Sequence, residues 1–166
     1  MRWRCGLWVL AVSGAVAAGP VETLRQRLDN GLPVTVVFMG DSISTGMHLE
    51  DPGQDGFPAL FMQLLRHRYP DASLAASLVA QAGAPTATGL ALFEARVRPL
   101  NPNLVVLQYG GNDKGTDDGL DNLPGYEANL RELVTSSRAL GAAVLLVAPP
   151  MHEPVLDMPF PAAARR

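Results

Sequence analysis

Pro33-Val34-Thr35-Val36-Val37-Phe38-Met39-Gly40-Asp41-Ser42-Ile43-Ser44 is the stretch on which the fold turns. Its first seven residues form a near-continuous apolar run rich in β-branched side chains. That is the pattern of a strand buried on both faces. Gly40 then permits a tight turn, and Ser42 follows just past the strand. Three more runs read as strands: Ser73 to Ala80, Leu104-Val105-Val106-Leu107 and Ala142 to Ala148. Between them, Phe57 to Arg68 places Phe57, Leu60, Phe61, Leu64 and Leu65 on one helical face, with Pro58 in the first turn. A second helix covers roughly Thr88–Val97. Tyr126, Leu130, Leu133 and Val134 mark a third, closed by Gly141. Upstream, Leu24 and Leu28 suggest a short helical lead-in within residues 18–32, ended by Asn30-Gly31. Strand, loop and helix alternate, and the strands are apolar. This order predicts a parallel sheet covered by helices on both faces.

A chain of 166 residues with 48% hydrophobic residues is one domain's worth and can bury a real core. The net charge is −3, and no Lys/Arg run exceeds a short pair such as Arg165-Arg166. Nucleic-acid binding needs a concentrated basic face, so that class is disfavoured.

Residues 1–17 read as a secretory signal peptide. Arg2 and Arg4 make a positive start, Gly6 to Ala18 is almost wholly apolar, and Ala15-Val16-Ala17 fits a cleavage site. The apolar run is too short for a comfortable membrane span, so no stable membrane anchor is expected. An uncleaved anchor or an over-extended start is the alternative. Cleavage would remove Arg2 and Arg4 and take the net charge from −3 to −5. It would also remove Cys5, the single cysteine. The expected location is secreted or periplasmic, with stability resting on the core rather than on disulfides. Thiol catalysis and cysteine-based zinc sites are then excluded.

In open parallel sheets, function collects in the loops beyond the carboxyl ends of the strands. The loops Gly40–Ser44, Gln81–Thr86 and Gly110–Gly115 all hold that position, and all are rich in small polar residues. Ser42 presents a hydroxyl at the sheet edge. Asn112, in Gln108-Tyr109-Gly110-Gly111-Asn112-Asp113, offers a neutral amide donor on a Gly-rich turn. Gly83 could supply a bare backbone N–H. A tetrahedral oxyanion needs such preorganised donors. Each residue alone is equally an ordinary turn residue.

Together they are far more specific. Gly40-Asp41-Ser42, then Gly83, then Tyr109-Gly110-Gly111-Asn112-Asp113, each after a buried strand, resemble the GDSL/SGNH serine ester hydrolases. The likeness runs over roughly residues 32–150. It implies a flavodoxin-like α/β/α sandwich over residues 33–166, here with four strands rather than five. It also implies Ser42 as nucleophile. The N–H groups of Ser42 and Gly83 and the Asn112 amide would form the oxyanion hole. Asp41 and Asp113 would tie loops together. No metal or cofactor is implied. The implied substrate is a small-molecule or carbohydrate ester, cleaved through an acyl-serine intermediate.

One departure stands out. The family's Asp-x-x-His segment, which holds the general base, occurs nowhere in this sequence. We therefore expect a C-terminally shortened domain that lacks the fifth strand. Its fourth strand would be an unpaired apolar edge prone to aggregation. Three histidines remain: His48 on the loop after Ser42, His67 at the end of the first helix, and His152, which follows Pro149-Pro150-Met151 and is either a solvated loop residue or a substitute base pointing toward the site. Three rivals stay open: an inactive fragment, a glycan-binding module that keeps the cleft, and a phosphate or nucleotide binder. The last lacks a Gly-rich phosphate fingerprint. Oligomeric state is not legible.

Overall fold

A computed structural model describes residues 18–113 and 123–149. The expected signal peptide, Cys5, Gly115, His152 and the C-terminal residues 150–166 lie outside them.

Helix α1 (Pro20–Asp29) opens the described chain, with Pro20 in its first turn. Proline suits that position because the missing N–H would have no partner there anyway. Strand β1 (Val34–Gly40) leads to two one-turn helices, α2 (Ser42–Thr45) and α3 (Pro52–Asp55). From sequence this whole segment reads as loop. Helix α4 (Phe57–Arg68) feeds β2 (Leu74–Ala80). Helix α5 (Thr86–Leu92) continues into a π turn, Phe93–Val97, and a 3-10 turn, Arg98–Leu100. Then come β3 (Leu104–Gln108), α6 (Leu123–Ala139) and β4 (Ala143–Val147).

The four strands are parallel in the order β2-β1-β3-β4. Alternate residues of the two central strands feed two separate cores, as the two-residue period of a strand requires. Val37, Met39, Val105 and Leu107 pack under α5, the π turn and α6, with Phe93, Val97 and Leu133. Val34, Val36, Phe38 and Val106 pack under α1 and α4, with Leu28 and Met62. Helices therefore cover both faces, which makes the three-layer α/β/α sandwich expected from the sequence. Phe38 meets Phe57 and Phe61 edge-to-face, with ring centroids 6.0 and 5.6 Å apart. Aromatic pairs favour that geometry.

Two burial expectations are corrected. Helix α4 turns Phe57, Phe61, Met62 and Leu65 inward, while Leu60 and Leu64 are 46% and 72% exposed. The covered face is no narrower than the one the apolar positions mark; it is turned around the helix toward Met62, which leaves Leu60 and Leu64 outside it. The outer strands are also less buried than their apolar sequences suggested, with Leu78 on β2 and Leu145 and Leu146 on β4 exposed. Among the described residues both strands lie at the ends of the strand order, with a neighbouring strand on one side.

Candidate active site

Parallel pairing sets the frame. Gly40, the last residue of β1, is in register with Ala80 of β2 and Gln108 of β3. The loops that follow these three strands therefore leave one edge of the sheet side by side.

Ser42 is half-buried and opens α2, with Asp41 as the N-cap. Asp41 Oδ1 accepts the Ile43 N–H at 2.9 Å. A helix N-terminus leaves its first N–H groups without intrahelical partners, and the cap claims only one of them. Among the described residues no hydrogen bond engages the Ser42 N–H. The turn closes locally: the Thr45 hydroxyl and the Met47 N–H both donate to the Ser42 carbonyl at 3.0 Å.

Beneath the turn, the Ser44 hydroxyl donates to Gln108 Oε1 at 2.9 Å. Both side chains are buried. Gly40 makes this possible, since a Cβ there would fall 2.0 Å from Ser44 Oγ and 2.6 Å from the Gln108 carbonyl oxygen. The glycine before the serine motif is thus a matter of space rather than of turn conformation.

The second loop docks on the first through the Gln81 N–H, which donates to the Gly40 carbonyl at 3.1 Å. Gly83 lies at its exposed tip with φ +76°. Side chains rarely adopt that conformation, although a Cβ there would meet nothing within 4 Å. The Gly83 N–H, too, is engaged by no hydrogen bond among the described residues.

Asn112 joins the loops. Its Nδ2 lies 3.3 Å from Asp41 Oδ2 and 3.5 Å from the Ala84 carbonyl. One amide thereby touches the residue before Ser42 and the residue after Gly83. Asp113 fixes the same region from below, because its Oδ1 accepts the Thr86 N–H at 2.9 Å and also the Thr86 hydroxyl. Asn129 of α6 donates to Thr86 Oγ1 at 3.1 Å. Asp41 and Asp113 thus tie loops together, as the family resemblance implied. Thr86, Asn129, Ser44 and Gln108 do not stand out in the sequence. A serine two residues past Ser42 and a glutamine ending an apolar strand are the available signals for the last pair.

The electrostatics are those of a partly dry, acidic floor. Asp41 and Asp113 are 2% and 6% exposed. Burial raises the Tyr109 phenol above its ordinary 10.0, and the charges of Asp41 and Asp113 push the same way. Of the described histidines, His48 lies on the exposed loop after α2 with φ +75°, and His67 lies in the last turn of α4. Neither is hydrogen-bonded to Ser42. Among the described residues no group of three or more His, Cys, Asp or Glu side chains could hold a metal ion.

The profile of the GDSL-like lipase/acylhydrolase family matches residues 38–166. The chain belongs to that family. Esterase TesA of Pseudomonas aeruginosa is 32% identical over 125 residues, which are 72% of this chain and 58% of the relative. The chain therefore spans less than two thirds of that curated relative. A crystal structure of TesA superposes with a TM-score of 0.61 at 29% identity, covering 73% of this chain and 63% of that one. A catalytic mutant of an acetylxylan esterase from Geobacillus stearothermophilus gives a TM-score of 0.55 at 25% identity, with 68% and 58% covered. A two-domain esterase active on acetylated mannans, co-crystallised with mannopentaose, gives 0.65 at 23% identity over 78% of this chain and 33% of that one. This last likeness speaks for the fold alone. The family's name puts the GDSL serine motif at Gly40-Asp41-Ser42-Ile43, with isoleucine in the place of leucine.

Proposed function

We propose that this chain carries the nucleophile and oxyanion-binding part of a carboxylic-ester hydrolase that works through an acyl-serine intermediate on Ser42. The observation that carries the reading is the Asn112 amide, held between Asp41 and Ala84. Its two partners are the chain neighbours of Ser42 and Gly83, whose backbone N–H groups no described residue engages. In this reading Ser42 Oγ attacks the ester carbonyl carbon. The carbonyl electron pair moves onto oxygen, where the Ser42 and Gly83 N–H groups stabilise it, joined by an Asn112 N–H that turns from the Ala84 carbonyl, its longer contact at 3.5 Å. Such donors work because they are already oriented when charge develops. Collapse of the intermediate expels the alcohol, which takes up a proton, and leaves the acyl group on Ser42. Water then releases the acid. Loss of the Ser42 proton calls for a base, which the described residues do not place in contact with Ser42.

The relatives' names support acyl or acetyl esters, including carbohydrate-linked ones, as the substrate class. The apolar N-terminus ending in Ala15-Val16-Ala17 supports export to the periplasm or medium.

The test is covalent capture with a fluorophosphonate, which reports the nucleophile without needing turnover. Wild-type protein should gain one adduct, mapped by mass spectrometry to the peptide containing Ser42. The Ser42→Ala variant should gain none. Labelling that persists in Ser42→Ala, or a wild type that does not label, would overturn the proposal.

A further inference from the structure

We infer that Gln108 is a positioning residue for Ser42, acting through Ser44; the inference rests on Ser42 as the nucleophile. Helix α2 has four residues, and its own other hydrogen bonds are local, the cap residue Asp41 alone being tied further off, to Asn112 at 3.3 Å. Asp41 caps it, Thr45 and Met47 bond back to Ser42, and Gly46 closes it in a left-handed conformation. Such a turn is internally rigid but could ride up or down on the sheet. Within α2, the side-chain hydrogen bond that reaches another strand runs from Ser44 Oγ to Gln108 Oε1, 2.9 Å long and 64 residues away in sequence.

Three features make that bond a precise fixture. Gln108 is fully buried at the end of β3, so its side chain has little freedom. Its backbone is in register with Gly40, the residue from which the turn departs. Gly40 lacks the Cβ that would collide with Ser44 Oγ at 2.0 Å, so the turn sits directly on the strands. The bond therefore sets the height of the turn, and with it where Ser42 Oγ and the Ser42 N–H stand relative to Asn112. Reaction at a nucleophile is sensitive to such placement, since a displacement of about 1 Å can cost ~100-fold in rate.

Gln108 also carries a cost that mere packing would not require. Its Nε2 is buried with no hydrogen-bond partner among the described residues. A buried unpaired amide is unfavourable, and leucine or methionine would fill the space without it. The orphaned nitrogen supplies an independent readout. Ser44→Ala leaves both polar atoms of the Gln108 amide unbonded, so it should lower stability and slow Ser42. Adding Gln108→Leu removes the orphaned amide and should recover stability, but it cannot restore the placement of Ser42.

The experiment measures fluorophosphonate labelling rate and melting temperature in parallel, for wild type, Ser44→Ala, Gln108→Leu and the double variant. Gln108→Met is the alternative if Gln108→Leu melts below the assay temperature. We expect labelling about tenfold slower in each single variant and no slower still in the double, because both act through one bond. The double variant should melt above Ser44→Ala. An undiminished rate in Ser44→Ala, or rates that merely follow melting temperature across the set, would overturn the inference while leaving Ser42 as nucleophile. A wild type without Ser42-dependent labelling would overturn both.

Discussion

Asn112 Nδ2 stands 3.3 Å from Asp41 Oδ2, so the loop after the third strand is bonded to the residue immediately before Ser42. The same carboxylate caps the turn that Ser42 opens, through Ile43. Asp41 thus serves two elements with its two oxygens, and the loops of the site are set against each other through it.

Replacing Asp41 separates those two services. Asp41→Ala should lower stability by about 1–2 kcal/mol through loss of the cap. It should also slow Ser42 labelling, because Asn112 loses its anchor. Asp41→Asn keeps one oxygen for the Ile43 N–H and should hold most of the stability. Thermal denaturation alongside the labelling rate checks both. An Asp41→Ala protein as stable as wild type would mean that the cap is not a stabilising contact.

Asn112→Ala tests the donor itself. Asn112 itself is exposed, but its amide bonds the buried Asp41 carboxylate, so its loss should cost about 1–3 kcal/mol of stability. Removal of one oxyanion donor typically costs about 100–1,000-fold in turnover. The expected outcome is a modestly lowered melting temperature, with ester hydrolysis, or phosphonylation of Ser42, measured well below it and reduced on that scale. A change of less than about threefold would remove Asn112 from the oxyanion site.

Legibility followed the physical signal available at each element. Strands β1 and β3 are plain because both of their faces are buried, and the sequence there is apolar almost without a break. Strands β2 and β4 can be located but their exposure cannot, since an apolar run looks the same at a sheet edge. Helices α2 and α3 escape a sequence reading because a one-turn helix has no periodicity. They are held by the cap at Asp41 and by Pro52 at the start of α3. In the site, Ser42, Gly83 and Asn112 carry a pattern. Gln108, Ser44, Thr86 and Asn129 do not, because each matters only through a partner distant in sequence.

The pH dependence of stability should carry the mark of Tyr109. Burial, then the charges of Asp41 and Asp113, raise its phenol above 10.0. Below that value folded and unfolded chains both keep the proton, and the group contributes no slope. Above it the unfolded chain releases the proton and the folded chain retains it, so stability falls as pH rises. Denaturant titrations above and below pH 10 should show this loss, and Tyr109→Phe should reduce it. An equally steep loss in Tyr109→Phe would assign the effect to other groups, with Tyr126, also raised by burial, the next to test.

Phe38→Ala should damage the core severely. Phe38 is 1% exposed and meets two rings of α4. Large-to-small changes at such sites cost about 3–5 kcal/mol, through lost burial and the cavity left behind. That is a large share of the roughly 5–15 kcal/mol that holds a domain folded. The expectation is a substantially lowered melting temperature or an unfolded chain by circular dichroism.

The last prediction concerns β4. Among the described residues it ends the strand order, and it leaves Leu145 and Leu146 40% and 53% exposed. Leu146 also lines a groove with Leu130, Val134 and Arg138 of α6. An apolar strand at a sheet edge offers unpaired N–H and C=O groups together with adhesive side chains, which is a template for association between chains. Natural edges are blunted by charge, lysine above all. Leu146→Lys should therefore raise the concentration at which the protein stays monodisperse in light scattering. Its melting temperature should change little, because surface substitutions usually stay within about 0.5 kcal/mol. Leu107→Lys, in the buried strand next to β4, is the contrast: it puts an unpaired charge into the core and should unfold the chain. Should Leu146→Lys aggregate as readily as wild type, the sticky surface lies elsewhere, and the exposed Leu60 and Leu64 of α4 would be the next to change.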